Sequence, residues 1–246
     1  MKTLPMEWNE VSRIEDLVEG RTLLMNKPIF WTSFDLVNKV RSQVAFRYRL
    51  KTGERRKIKV GHAGTLDPYA EGLMIICTGK KTKTLHSYQG EDKEYLTTLE
   101  LGKTTPSYDL ETIYDKEFPE RDIKINEIRE TLSRYQGEID QVPPIYSAKS
   151  VKGKRAYHAA RKGQDIKLEP QKVYIDNLEV VEYDYPLLTL RISCSKGTYV
   201  RSLARDIGED LRIGAHIVGL RRIRSGRFYL SDAISVEEFE KKIQNL

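Results

Sequence analysis

"VGHAGTLDPYAEGLMIICTG", residues 60–79, joins a glycine-punctuated loop to a continuous apolar run, and its reading decides the fold. The run from Leu73 to Cys77 lies between Gly72 and Gly79. It is too short for an ordinary helix and suits a buried strand. Ahead of it, Asp67 stands directly before Pro68, with His62 five residues upstream. An Asp-Pro pair often does no more than order a turn through its side chain.

Working outward, "RTLLMNKP" (21–28) reads as a strand stopped by Pro28. Thr32 or Ser33 then caps a helix whose apolar stripe is Leu36, Val37, Val40 and Val44. The basic stretch "FRYRLKTGERRKIK" (46–59) is expected to be a solvated loop, with RNA phosphate as an alternative contact. Downstream, residues 80–88 suit a helix and "EYLTTLELG" (94–102) alternates as a strand does. Ile125, Ile128, Leu132 and Tyr135 mark a helix over 125–136, ended by Gly137, with Tyr135 on the core side. Strands are expected near 172–181 and 187–195. "KGTYVRSLARDIGEDL" (196–211) turns at Gly197 into a helix with Thr198 as its cap, and 215–230 is again strand-like. A final helix opens at Ser235, with Glu238 in capping-box position. Hairpin-like strands with intermittent helices, in no regular alternation, give an α+β class with a mixed, mostly antiparallel sheet.

The 246 residues suffice to bury roughly 70–75% of the unfolded surface in a real core. Lys and Arg total 42 against 36 Asp and Glu, a net charge of +6 that favours an anionic partner, nucleic acid first. Cys77 and Cys194 are far apart in apolar runs, which suits buried thiols in a reducing compartment better than a disulfide framework or zinc cluster. The acid-rich start "MKTLPMEWNEVSRIEDLVEG" fits neither a signal peptide nor a transit peptide, and no window approaches the ~20 apolar residues of a membrane span. A cytoplasmic protein is the expectation.

Familiar chemistries fit the loop poorly. Glycines 61, 64 and 72 do not make a phosphate-binding G-x-x-x-x-G-K-[ST] loop. One His and one Asp fall short of a metal site, and no nucleophile-elbow sequence supports a hydrolytic triad. The longer stretch "GHAGTLDPYAEGLMIICTGKKTK" resembles the signature of the bacterial TruB family, pseudouridine synthases that act on the T-loop of tRNA. The resemblance continues in order through "LLMNKPIFWTSFDLVNKVR", "DKEYLTTLELGKTTPSYD", "VPPIYSAKSVKGKRAYHAARKG", "CSKGTYVRSLARDIGEDL" and "GAHIVGLRRIRSG". It implies a single pseudouridine synthase catalytic domain over 1–246, with a basic RNA-binding insertion near 144–172. The C-terminal RNA-binding, PUA-like domain of many relatives is expected to be absent.

What the resemblance implies for the site is specific. Asp67 matches the family's nucleophile, and Arg201 the arginine that pairs with it. Tyr95 matches the tyrosine that stacks on the target base; Tyr199 and Leu220 match residues lining the uracil pocket. His62 matches the histidine that fills the space left by the flipped nucleotide, and Asp109 contacts RNA or supports the pocket. The family needs no metal, ATP or organic cofactor. Its partner is the tRNA T-arm, with no membrane and no obligatory protein partner, and a monomer is expected. Two other readings stay open: a tRNA-binding or folding protein without chemistry, and a guide-RNA-dependent synthase.

Overall fold

The computed structural model describes residues 11–146, 150–151, 154–155 and 168–246. The chain divides into two compact units, Met1–Lys93 with Arg221–Leu246, and Glu94–Leu220.

In the first unit, α1 (Ile14–Glu19) leads into β1 (Thr22–Lys27), which pairs antiparallel with β3 (Ala70–Thr78) from Thr22↔Cys77 to Lys27↔Gly72. β2 (Val60–Ala63) also pairs antiparallel with β3, from Val60↔Thr78 to Ala63↔Ile75. Flanked in this way, β3 is buried without interruption from Gly72 to Thr78, and so it reads as a continuous apolar run rather than an alternating one. Leu24, Ala63, Leu73, Ile75, Cys77 and Phe228 form one core cluster.

α2 (Ser33–Thr52) begins as the sequence predicts: the Thr32 hydroxyl accepts from the Asp35 N–H, and the Asp35 carboxylate accepts from the Thr32 N–H. It ends later than expected. Residues 46–52, read as solvated loop, are helical, because Tyr48 extends the buried stripe from Val44 and Arg49 and Lys51 are good helix formers. Gly53, at φ 76°, terminates it by donating to the Arg49 carbonyl. α3 (Leu85–Gln89) follows a 3-10 turn over Gly79–Thr84, and the capping box at Ser235 opens α6 (Val236–Gln244).

In the second unit, β4 (Lys93–Leu101) alternates buried and half-buried, with Tyr95, Thr97, Leu99 and Leu101 inward. Its strand order is β4, β11 (Leu187–Cys194), β10 (Gln171–Asp184), β7 (Gly137–Gln141), the last two pairs antiparallel with bulges near 175–177 and 180–182. β5 (Lys103–Thr104) with β6 (Lys116–Glu117), and β8 (Ser150–Val151) with β9 (Lys154–Arg155), form two-residue ladders. The rest of the basic stretch read as an RNA-binding insertion lies largely outside the described residues. α4 (Ile125–Ser133) and α5 (Val200–Asp210) complete the unit. Thr198 does not cap α5: Tyr199 occupies that position and the Thr198 hydroxyl donates to the Ser195 carbonyl instead. β12 (Ala215–Ser225) carries the chain back to the first unit and turns through Gly226 into β13 (Phe228–Tyr229). The expected α+β class with a mostly antiparallel sheet is what the structure has. No helix among the described residues is long and apolar enough to cross a membrane.

Candidate functional site

Asp67 lies half-buried in the turn between β2 and β3, where the Ala70 N–H donates to the Asp67 carbonyl at 3.1 Å. Three tethers hold this turn. Ser33, at the start of α2, accepts from the Leu66 N–H and donates to the Leu66 carbonyl, both at 2.8 Å. The Phe30 N–H donates to the Pro68 carbonyl at 2.7 Å. Arg222, 1% exposed, donates through Nε to the Leu73 carbonyl at 2.7 Å and through Nη2 to the Gly64 carbonyl at 3.1 Å, so one guanidinium ties both ends of the loop. Gly72, at φ 107°, is required there: a Cβ would stand 2.4 Å from the Arg222 carbonyl oxygen.

Lys27 is fully buried beneath the turn and donates to the carbonyls of Pro28 at 3.0 Å and Trp31 at 2.6 Å. Burial pulls its pKa down to about 8, against the attraction of the carboxylates of Asp67 and Glu71. The same attraction favours a charged carboxylate at Asp67. His62, on β2, is held below the usual histidine range mainly by burial, opposed by the Gly64 carbonyl and helped by the Arg222 charge. Its buried Nδ1 has no hydrogen-bond partner among the described residues. A neutral ring at physiological pH suits a space-filling part better than that of a cation.

The second unit holds the other predicted residues. Arg201, in the first turn of α5, donates to the carbonyls of Ser107 at 3.2 Å and Tyr146 at 2.8 Å. Its Nε lies 3.7 Å from an Asp109 carboxylate oxygen, and both side chains are 4% exposed. Asp109 also accepts from the Glu111 N–H, which closes the loop after β5. Tyr95 is buried on β4, while Tyr199 and Leu220 are half-buried. Gln141, fully buried on β7, fixes the backbone of Tyr199 from both sides, accepting from its N–H at 2.8 Å and donating to its carbonyl at 3.1 Å. Both cysteines are buried. Among the described residues, no group of three or more His, Cys, Asp or Glu side chains is placed to hold a metal ion.

The sequence placed Asp67 and His62 in one stretch, paired Arg201 with Asp67 and assigned Asp109 to RNA contact or pocket support; the Arg201–Asp109 contact was not anticipated, nor were the roles of Ser33, Lys27, Arg222 and Gln141. A signal was available for Lys27, a charge at the end of the buried run "LLMNK"; Arg222 among neighbouring arginines and Gln141 in "GEIDQ" carry no such mark.

Comparison with known proteins adds to this geometry. Residues 49–200 match the N-terminal domain model of the TruB family pseudouridylate synthases, and residues 201–245 match the tRNA pseudouridylate synthase B C-terminal domain. The chain is 49% identical over 225 residues to tRNA pseudouridine synthase B of Parabacteroides distasonis, covering 92% of this chain and 94% of the relative. It is 46% identical over 232 residues to the Flavobacterium johnsoniae protein of the same name, covering 94% and 99% respectively. A chain in the crystal structure of a Cbf5–Nop10–Gar1 complex is similar at a TM-score of 0.69 and 26% identity, over 94% of this chain and 57% of that one.

Proposed function

The chain belongs to the TruB family of pseudouridylate synthases, and from that premise we propose that it isomerises uridine to pseudouridine in the T-loop of tRNA, at position 55. The reaction breaks the bond from N1 of uracil to C1′ of the ribose, turns the base, and joins C5 to C1′. The proton lost from C5 is balanced by one gained at N1, with no net redox change and no cofactor.

The observation that carries this reading is the mounting of Asp67. A nucleophilic carboxylate must be ionised and fixed close to its target. Asp67 sits on a turn tethered by Ser33, Phe30 and Arg222, with the Lys27 charge beneath it. In this reading Asp67 attacks the target nucleotide and Arg201 is the partner of its carboxylate. Tyr95 stacks on the uracil, and Tyr199 and Leu220 wall the pocket in which the base turns. Asp109 acts through Arg201, holding the guanidinium in place. The target base must leave its stack, at a cost of a few kcal/mol, and the neutral His62 ring fills the space it leaves. The protein acts on tRNA as a monomer in the cytoplasm, without a guide RNA.

Incubating purified protein with unmodified tRNA and mapping modified uridines tests the proposal. One pseudouridine at position 55 is expected. Asp67→Asn should abolish it while leaving most tRNA binding intact. Wild-type protein that binds tRNA tightly and leaves every uridine unchanged would make this a binding protein instead.

A further inference from the structure

The segment linking β1 to α2 and the first turn of α2 place aromatic side chains in solvent beside the Asp67 turn. Phe30 is 68% exposed and Phe34 62% exposed. Scattered exposed apolar residues need no explanation, but Phe30 is a different case. Its φ of 68° is a left-handed backbone conformation that a bulky side chain adopts at a cost, and the exposed ring recovers little of that cost by burial. Two contacts define its place. Its N–H donates to the Pro68 carbonyl at 2.7 Å, and its ring meets the Tyr69 ring edge-on, with centroids 5.5 Å apart and planes at 88°. Pro68 and Tyr69 directly follow Asp67. Phe34 is the residue after Ser33, which grips Leu66, and the Arg41 guanidinium lies 5.9 Å from its ring centroid. Aromatic faces and a cation therefore flank the turn that carries the attacking carboxylate.

We propose that Phe30, braced by Tyr69, is a stacking platform for an unpaired nucleobase of the T-loop next to the target uridine. This rests on the reading of Asp67 as acting on that loop. Extracting one nucleotide from a folded loop strips its neighbours of a stacking partner, and any base brought to Asp67 carries those neighbours to the rim of the same turn. An exposed aromatic face covers a bared base of any sequence, and Arg41 adds the charge complementarity that a polyanion needs. The occupant is thus the RNA substrate, recognised by its base faces.

Phe30→Gly is the informative variant, because glycine adopts φ 68° without strain and only the ring is lost. T-arm RNAs carrying 2-aminopurine at single loop positions would be bound to Asp67→Asn protein, where no turnover occurs. Fluorescence quenching is expected at a position adjacent to the target. It should be lost when Phe30→Gly is added and kept with Phe30→Trp. In the otherwise wild-type enzyme, Phe30→Gly should raise KM for the T-arm about 5- to 150-fold, the range of losing one base–aromatic stack, with an unfolding midpoint no lower than wild type. Unchanged quenching, or an unchanged KM, overturns the platform. Should wild-type protein form no pseudouridine while Phe30-dependent quenching persists, the catalytic reading fails and the platform stands.

Discussion

Lys27→Met removes a fully buried ammonium whose pKa burial lowers from 10.5 to about 8. Between those two values the unfolded chain holds a proton that the native protein has released, so native stability must rise with pH across that window. A fall of this size means that burying the charge costs roughly 3 kcal/mol at pH 7, and about 2 kcal/mol of that is recovered by pH 9.5. Tyr135 and Tyr183, whose pKa values burial raises, also affect stability in alkali, so the wild type must be compared with Lys27→Met at each pH. Urea unfolding read by tryptophan fluorescence suits the purpose, because Trp31 carries a carbonyl that accepts from Lys27. The two proteins should be close at pH 7, where relief of the buried charge offsets the loss of two hydrogen bonds to main-chain carbonyls. The wild type should pull ahead by about 2 kcal/mol at pH 9.5. In an Asp67→Asn background the rise should begin at lower pH, since Asp67 is one of the charges holding the Lys27 pKa up. Midpoints that run parallel from pH 7 to 9.5 would refute a desolvated Lys27 coupled to Asp67.

Gly72→Ala should destabilise by about 3 kcal/mol or more, because the new Cβ would stand 2.4 Å from a backbone oxygen at φ 107°, whereas Gly53→Ala, at φ 76° with nothing within 4 Å, should cost only about 1 kcal/mol; thermal unfolding of the pair checks the contrast. Gln141→Leu removes both side-chain hydrogen bonds to the Tyr199 backbone, whose carbonyl still accepts from the Leu203 N–H, and should cost roughly 1–3 kcal/mol in urea unfolding, together with a fall in kcat/KM; a variant as stable as wild type would show that Gln141 does not hold Tyr199. Asp109→Asn breaks a buried ion pair with Arg201 and should cost about 3 kcal/mol, with activity reduced in turnover assays; an unmoved midpoint would show that the pair contributes nothing to the fold.

What could be read from the sequence follows a physical division. Side-chain periodicity revealed β4 and the start of α2, because each buries one face at the spacing of its own geometry, while β1 and β3 were legible as short apolar runs bounded by proline or glycine. The cap of Ser235 with Glu238 was legible from its side chains, and Thr32 stood as one of two candidates whose partner Asp35 was not anticipated. The end of α2 was misread because local charge suggests solvent, while a single Tyr48 at the right spacing continues the core. The misplaced cap at Thr198 points to a deeper limit. Tyr199 there gives its N–H to Gln141, 58 residues away in sequence, and no local rule anticipates that exchange. Lys27, Arg222 and Gln141 share this property: their partners are main-chain atoms, which carry no residue identity. Asp67 could be proposed as the nucleophile from its surrounding motif because the chemistry proposed for it lies in its side chain. The groups that hold its turn in place act on backbone carbonyls and are found only when the fold brings them there. Of Lys27, Arg222 and Gln141, only Lys27 leaves a trace in the sequence, a charge that ends the buried run "TLLMNK"; Gln141 closes the mostly exposed or half-buried "GEIDQ" and Arg222 stands between Arg221 and Arg224, so nothing local distinguishes either from a solvated residue until the fold buries it.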